Sequence, residues 1–511
     1  MFIVILYIIR LGGCKMEGTI WTLVPPILAI TLALISKEVY FSLFAGICAG
    51  ALFYSNFSVS GAISTTVDIM SSKVGGNICI IIFLVLLGMM VALMSKSGAS
   101  KAYGKWASKN IKTKRGTLLA TVALGVLIFV DDYFNCLTVG TIMSPITDKQ
   151  KISRAKLAYI IDATAAPVCI ISPVSSWAAA VSSSLPEDTT LDGFVMFLKS
   201  IPFNYYAILT IVMLLMLIIL NFDFSKMKEY ELKYGSSVTG TKAEIEDEII
   251  SGERGKVCDL IIPIAALVVF CVGAMLYTGG ILDGNGIINS FANCDSSFSL
   301  VIGSFFTMIV IALLYLPRKV ITFKQFAESL PEGFKAMVPA ILILTFAWTL
   351  SGVCGDEYLQ IGTYVNGVIN NSSLPHAIIP GIFFLVSLFL GFSTGTSWGT
   401  FAILLPIVCA IFNSEATNIM ILSMSSVMAG AVCGDHISPI SDTTILSSTG
   451  AQCNHIEHVN TQIPYALLVA GISFVCYLVG GFTGNGYIGL ILGLIATPAI
   501  LFGLYKKHRE V

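Results

Sequence analysis

The sequence predicts an all-α polytopic membrane protein built from two inverted repeats. Hydrophobic residues make up 56% of the 511-residue chain and charged residues only 12%, whereas soluble domains average about 45–50% and 25%. Many apolar segments reach the roughly 17 to 25 residues that a helix needs to cross a bilayer. A short motif occurs once in each half, as Ser-Pro-Val-Ser at 172–175 and Ser-Pro-Ile-Ser at 438–441. Composition therefore indicates a membrane protein, and the repeated motif indicates an internal duplication.

The apolar segments divide into simple spans and longer, interrupted ones. Two hydrophobic stretches, 116–147 and 376–411, are too long for one crossing and carry polar residues near their middles. The simple spans are predicted near 19–36, 39–54, 77–95, 157–184, 202–221, 258–278, 298–316, 336–352, 417–448, 464–481 and 486–505.

Loop charges predict how the two interrupted stretches are threaded. Connection 96–115 contains seven Lys and Arg residues and no acid, and connection 148–156 is also basic. The positive-inside rule places both in the cytoplasm, so 116–147 must enter and return, as a re-entrant hairpin or as two short crossings. The flanks of 376–411 contain acids and no Lys or Arg. The second hairpin is therefore predicted to open on the opposite face.

Each half is then predicted to contain five spans, including one broken at its Ser-Pro motif, together with a re-entrant hairpin. Because five is an odd number, the second copy must be inverted relative to the first. Met16 is an alternative start to Met1. The predicted units are an N-terminal extension at 1–18, a first repeat at 19–222, a cytoplasmic linker at 223–257, a second repeat at 258–485, and an extra C-terminal span with a basic tail at 486–511.

Polar residues inside the hydrophobic segments are the candidate functional residues. A carboxylate at the bilayer centre costs about 2.5–3.5 kcal/mol on insertion scales, so acids there indicate function. Oxygen ligands suit a hard cation such as sodium. The candidate ion- or substrate-binding residues are Asp131, Asp132, Asn135, Thr138, Asp162, Ser172, Ser175, Ser393, Thr394, Thr396, Ser397, Thr400, Asp435, Ser438, Ser441 and Asp442. Sodium is assigned to Asp131, Asp132, Asp435 and Asp442, and His436 is a candidate proton relay.

Acids beside broken helices are typical of secondary transporters, in which unwound helix ends at membrane depth bind ions. Desolvation raises the affinity of an aspartate for a proton, and a nearby sodium ion lowers it. A carboxylate that cannot hold both would exchange one for the other. The sequence contains no nucleotide-binding P-loop signature, and neither a catalytic residue nor a cofactor is predicted, with sodium and protons as the transported or coupling ions.

The candidate acids and His436 also have structural interpretations. Asp131 or Asp132 could cap a helix. Asp162 could instead be a partner for backbone amides freed at a helix break. His436 could be a hydrogen-bonded packing residue rather than a relay.

Other polar and aromatic residues leave similar alternatives. His455, Glu457 and His458 fall in a predicted cytoplasmic loop and are expected to be solvated. Trp177 and Trp398 could anchor the protein at the membrane interface, or they could line the substrate cavity beside the broken segments.

Three motifs together resemble the NhaC family of sodium/proton antiporters. They are Asp-Asp-Tyr-Phe-Asn at 131–135, Thr-Ser-Trp-Gly-Thr at 396–400 and Gly-Asp-His-Ile-Ser-Pro-Ile-Ser-Asp-Thr at 434–443. The resemblance extends from about Met16 to the C-terminus. It implies a multi-pass protein of the bacterial cytoplasmic membrane with the fold of the ion-transporter superfamily, often found as homodimers. The implied partners are the lipid bilayer, sodium and protons.

The resemblance leaves the cargo open, because NhaC-like proteins include malate/lactate antiporters and relatives similar to amino-acid carriers. No arginine lies within a predicted span to bind a carboxylate bidentately, which favours a cation over a small organic acid or amino acid. Hairpin N-termini and hydroxyls can nevertheless bind a carboxylate. An aspartyl intramembrane protease and a passive channel are the alternatives from other classes. No nucleic-acid-binding pattern is present.

Overall fold

The computed structural model describes residues 16–509 apart from 37, 186–191, 235–254, 285, 287–289, 291–292, 356, 362, 365–366, 368–374 and 413–416. Every regular element within these residues is a helix, so the all-α class is confirmed. Several predictions lie outside the described residues. They concern most of the N-terminal extension, most of the linker and four loop acids, Glu187, Asp188, Asp356 and Glu415.

The helices of the first half and the linker are short and frequently interrupted. They are α1 (Val24–Ser36), α2 (Val39–Tyr54), α3 (Val59–Gly76), α4 (Ile78–Lys96), α5 (Ala99–Asn110), α6 (Lys114–Leu127), α7 (Asp132–Lys149), α8 (Arg154–Thr164), α9 (Ala166–Cys169), α10 (Ser176–Ser183), α11 (Gly193–Ser200), α12 (Tyr205–Leu220) and α13 (Ser225–Tyr234).

The second half contains longer helices. They are α14 (Cys258–Thr278), α15 (Ser296–Tyr315), α16 (Phe323–Cys354), α17 (Ile379–Thr394), α18 (Ser397–Ile411), α19 (Asn418–Ile437), α20 (Asp442–Gly450), α21 (His455–Thr483) and α22 (Gly486–Arg509).

Eight helices of the described chain are long and apolar enough to cross a membrane, or ten if each of two bent pairs forms one span. This makes the chain a multi-pass membrane protein, as predicted. Three predicted spans are not single long helices. Segment 19–36 yields a 3-10 turn and the short α1, segment 157–184 is divided into α8, α9 and α10, and segment 417–448 is divided between α19 and α20. The sequence prediction also missed α3, whose serines, threonines and aspartate dilute its apolar character.

Both interrupted stretches and both Ser-Pro motifs are sites where one helix ends and another begins. The breaks are residues 128–131 between α6 and α7, 170–175 before α10, 395–396 between α17 and α18, and 438–441 between α19 and α20. In each case the residue just before the new helix accepts a hydrogen bond from a backbone amide in its first turn. These capping residues are Asp131, Ser175, Thr396 and Ser441. The polar residues that interrupt the apolar segments therefore start new helices.

The two halves of the chain meet where α7 packs against α20. A Cβ atom placed on Gly140 would lie 2.3 Å from the carbonyl carbon of Gly450, so the two backbones touch. Further along, Cys136 Sγ lies 3.2 Å from Ser447 Oγ. This close approach brings the first break of one half beside the last break of the other. The relation of the halves as inverted repeats, and the domain boundaries that follow from it, stay predictions.

Candidate functional site

The carboxylates predicted to lie within the membrane are mostly buried. Asp131, Asp132 and Asp435 are each 2% exposed, and Asp162 is fully buried. Asp442 is exposed, and so are the prolines of both Ser-Pro motifs, Pro173 and Pro439. Buried acids and exposed residues therefore lie next to each other at the breaks.

The two aspartates at the first break differ in their hydrogen bonds. Asp131 Oδ1 accepts the backbone amide of Phe134 at 3.0 Å, and Asp131 Oδ2 accepts Ser176 Oγ at 3.3 Å. Asp132 Oδ1 is buried without a hydrogen-bond partner. The indole nitrogen of Trp177 lies near Asp132 but outside hydrogen-bonding geometry. The capping interpretation thus describes Asp131, whereas Asp132 keeps an oxygen available for an ion or a proton.

The second pair of breaks provides a corresponding carboxylate. Ser397, the first residue of α18, donates its hydroxyl to Asp435 Oδ2 at 2.8 Å. Asp435 Oδ1 is buried and has no hydrogen-bond partner. A predicted hydroxyl of one break therefore contacts a predicted acid in the last turn of α19.

Two contacts connect the residues around Asp132 with those around Asp435. Tyr133, in the first turn of α7, donates its hydroxyl to Asp442 Oδ2 at the start of α20. The rings of Trp177 and Trp398 meet edge to face with their centroids 6.1 Å apart, so these tryptophans pack between the breaks rather than at a membrane interface. Asp442 also interacts electrostatically with both Asp132 and Asp435. The structure therefore brings the predicted acids of the two halves into one neighbourhood.

Asn135 has a structural role in this neighbourhood. Its amide nitrogen donates to the carbonyl oxygens of Gly125, Ile128 and Thr164 at 2.7, 3.1 and 3.1 Å. It thereby satisfies carbonyls at the ends of α6 and α8 that have lost their helical donors. Its side-chain oxygen is buried without a partner.

Asp162 lies in a second polar cluster next to the first. Its Oδ2 accepts Thr444 Oγ1 at 3.2 Å and Gln462 Nε2 at 2.8 Å. His436 Nε2 lies 3.7 Å from Oδ1, and His458 Nε2 lies 3.4 Å from Oδ2. These neighbours favour the interpretation of Asp162 as a partner for polar groups, although those groups are side chains rather than freed backbone amides. His436 is also held by Tyr206, whose hydroxyl lies 3.0 Å from Nδ1.

Most of the predicted hydroxyl ligands bond to nearby backbone. Ser172 donates to Val168 O at 2.7 Å, Thr394 to Leu390 O at 2.8 Å and Thr400 to Thr396 O at 2.9 Å. Ser175, Thr396 and Ser441 are helix caps, and Ser438 Oγ accepts the amide of Ile440 at 3.4 Å. Thr138 is buried and Ser393 is half-buried. These residues surround the breaks, but hydroxyl oxygens can bind an ion only with the lone pairs that these bonds leave free.

No three His, Cys, Asp or Glu side chains in the described part of the chain are arranged to hold a metal ion. A sodium ion at Asp131, Asp132, Asp435 or Asp442 would therefore need hydroxyl or backbone oxygens to complete its coordination, as hard cations commonly do. Two basic residues of α8 pair with acids outside this set. Arg154 pairs with Asp148 at 2.6 Å and Lys156 with Asp223 at 2.5 Å.

The expectation that residues 455–458 are solvated was wrong for His458, whereas the alternative that these residues sense pH is not tested by its position. His458 lies on α21, is fully buried and contacts Asp162, whereas a solvated loop position was expected. His455 and Glu457 are half-buried, and His455 Nε2 lies 2.7 Å from the carbonyl oxygen of Pro439. The reason is that α21 begins at His455, so the polar residues belong to a helix that packs on the site.

Sequence reasoning also missed four polar partners of the candidate acids, Tyr133, Ser176, Thr444 and Gln462. Gln462 follows His458 by one helical turn on α21, and residues with that spacing share one face of a helix. This signal was present in the sequence. Ser176 directly follows the repeated Ser-Pro motif and Tyr133 directly follows the doublet. Closeness in sequence to these motifs was the one signal that could have indicated them.

An all-helical membrane protein with buried acids at helix breaks from both halves has the features of a secondary transporter. Comparison with known proteins gives the family. The chain belongs to the Na+/H+ antiporter family, whose model matches residues 189–482. It is therefore a transporter and not an enzyme, as predicted.

Several individual proteins are also similar to this chain. An uncharacterized protein of Haemophilus influenzae is 39% identical, with 96% of each chain covered. The malate-2H(+)/Na(+)-lactate antiporter of Bacillus subtilis is 28% identical over 34% of this chain and 37% of its own. Among solved structures, MtrF of Neisseria gonorrhoeae aligns with a TM-score of 0.47 at 13% identity, covering 84% of this chain and 85% of that one.

Proposed function

We propose that this protein exchanges sodium for protons across the bacterial cytoplasmic membrane through Asp132 and Asp435. The observation that carries the proposal is that each has a buried carboxylate oxygen without a hydrogen-bond partner. One belongs to a break in the first half and the other to a break in the second half. A buried, unpaired carboxylate oxygen is unfavourable unless a proton or a cation neutralises it.

Competition between these two ligands provides the coupling. Burial favours the protonated carboxyl group, and a bound cation favours the carboxylate. Sodium binding on one side of the membrane would therefore release a proton, and proton binding on the other side would release sodium. Asp132 also lies in the first turn of α7, where the partial positive charge of the helix N-terminus stabilises a carboxylate after proton loss.

The test uses everted membrane vesicles with a preset pH gradient. Sodium chloride should dissipate the gradient, choline chloride should not, and Asp132→Asn should abolish the sodium response. Asp283→Asn removes an exposed acid from the loop after α14 and serves as the matched control. An unchanged sodium response in Asp132→Asn would exclude Asp132 as the coupling residue.

A second candidate cargo is a small organic acid, or an amino acid, exchanged in a sodium- or proton-coupled manner at the same breaks. It is favoured by the similarity to the malate/lactate antiporter. Uptake of labelled malate, lactate and amino acids into proteoliposomes distinguishes the candidates. Only an organic-solute exchanger takes up one of these labelled solutes in response to a sodium or proton gradient. Currents far above carrier rates would indicate a channel instead. By family resemblance we also propose a homodimer, which the mass of the protein in detergent would test.

A further inference from the structure

His458 is a fully buried histidine close to a buried acid, and its ring makes no hydrogen bond. Both ring nitrogens of His458 lack a hydrogen-bond partner, and so do His436 Nε2 and Asp162 Oδ1. His458 Nε2 is nevertheless only 3.4 Å from Asp162 Oδ2. A buried polar group without a partner costs about 1–3 kcal/mol, so packing alone does not account for a histidine here. Protonated, the ring would form an ion pair with the carboxylate.

The surroundings of Asp162 hold its carboxylate in place. Gln462 Nε2 donates to Asp162 Oδ2 and also to the carbonyl oxygen of His436. Thr444 Oγ1 lies 3.2 Å from Asp162 Oδ2 and 3.4 Å from the carbonyl oxygen of Asp435. Asp162 is thus connected by single side chains to the backbone of α19 next to Asp435, the proposed cation-binding residue.

Other titratable groups also act electrostatically on this pair, from six of the helices around it. They are Cys136 on α7, Tyr159 on α8, Tyr206 on α12, Asp435 and His436 on α19, Asp442 on α20 and His455 on α21.

We propose that His458 and Asp162 form a second proton-binding site, separate from the carboxylates that bind the cation. The proposal rests on the sodium/proton exchange proposed above. In the loaded state a proton from water is bound at a ring nitrogen of His458, and the imidazolium pairs with the Asp162 carboxylate. Release returns the same proton to water and leaves a single negative charge, held by Gln462 and Thr444. The bridge through Thr444 lets the charge of this site influence the cation site.

Two transport assays in proteoliposomes separate this site from the cation site. Exchange of labelled sodium for unlabelled sodium at equal pH requires only the cation site. Sodium-driven proton movement, followed with a pH-sensitive dye, counts both the proton displaced at the cation site and any proton carried by the second site. His458→Gln should preserve sodium–sodium exchange and reduce the protons moved per sodium, with an altered pH profile. Asp132→Asn should lose both activities, and His376→Gln, at an exposed histidine before α17, should retain both.

The outcomes distinguish the two proposals. If the unmodified protein shows neither activity, the proposed function fails and this inference fails with it. If both activities are present and His458→Gln keeps the same proton-to-sodium ratio and pH profile, only the second proton site is excluded. Loss of both activities in a folded His458→Gln protein would also contradict a separate site.

A direct measurement does not depend on transport or on a variant's activity. The chain contains five histidines, so protein labelled with ¹⁵N only in histidine, reconstituted in lipid, gives few imidazole signals in solid-state NMR. The signal that is absent from the spectrum of His458→Gln belongs to His458. As the pH falls from roughly 8 to 5, this signal should shift from the position of a neutral imidazole to that of a protonated one. Asp162→Asn should move that transition. A His458 ring that stays in one protonation state over this range would overturn the proposal.

Discussion

The breaks at 128–131 and 395–396 have similar architecture but different chemistry. At both, a side chain caps the helix that follows, Asp131 for α7 and Thr396 for α18. The first break supplies two carboxylates, whereas the second supplies hydroxyls and a glycine. A single cation can then be neutralised by acids from one side and coordinated by neutral oxygens from the other.

The backbones of the two breaks differ as well. Asp131 has an extended conformation, with φ −153°, which any residue can adopt. Gly395 has φ +66°, in the left-handed region that favours glycine. It also lies against the second Ser-Pro motif, since a Cβ at this position would be 2.7 Å from the carbonyl oxygen of Ile440. The backbone conformation at Asp131 therefore accommodates any side chain, whereas the conformation and surroundings of Gly395 require a residue without one.

The largest expected effect separates the two aspartates of the acidic break. Asp132→Asn should abolish sodium-driven proton movement, because the unpaired oxygen no longer belongs to an ionisable group. Asp131→Asn should retain most of that activity, because asparagine caps helices about as well as aspartate and can still accept the Phe134 amide. Dye-based proton flux in proteoliposomes measures both. Equal loss in the two variants would show that the doublet acts as one unit, and the division of roles would then be wrong.

The next effect concerns the neutral break. Gly395→Ala should destabilise the protein by about 1–2 kcal/mol from the left-handed backbone alone, and more because Ile440 O must move. Thermal unfolding in detergent measures the loss. Gly273→Ala is the matched control, since a Cβ there meets nothing within 4 Å and alanine favours the helix. Unfolding of Gly395→Ala at the temperature of the unmodified protein would mean that this turn can rearrange.

The sequence was informative about the breaks and uninformative about what packs on them. The Asp-Asp doublet, the hydroxyl-rich run at 396–400 and both Ser-Pro motifs coincide with helix starts, because Asp, Ser and Thr side chains cap the first turn of a helix. Which of the two aspartates is free could not be predicted, since this depends on a contact with Ser176 from a distant helix.

The Asp162 cluster is a clearer example of packing that the sequence could not predict. Loop charge counting placed His458 in solvent, but the start of α21 at His455 turns this residue toward Asp162, almost 300 positions earlier in the chain. Helical spacing of His455, His458 and Gln462 would have indicated a shared face. It would not have indicated the partner, because long-range packing decides which face meets which helix.

The smallest effect is expected at helix α13, far along the chain from both breaks. Glu231 accepts the backbone amide of Ser153 at 2.8 Å and pairs with Lys114 at 3.0 Å. Glu231→Gln keeps the first contact and loses the second. Because Lys114 is 37% exposed, the pair should contribute only about 0–1 kcal/mol.

Thermal unfolding of Glu231→Gln should therefore differ little from that of the unmodified protein, and transport should persist. Glu328→Gln, which breaks an exposed pair with Lys324 at 3.8 Å, is the control for a lost surface charge. Glu231→Ala removes both contacts and leaves the Ser153 amide without its partner, so it should destabilise more than Glu231→Gln. If Glu231→Gln instead impaired transport as severely as Asp132→Asn, the coupling would extend to the first turns of α6 and α8, and the contrast between the two breaks would not be sufficient to explain exchange.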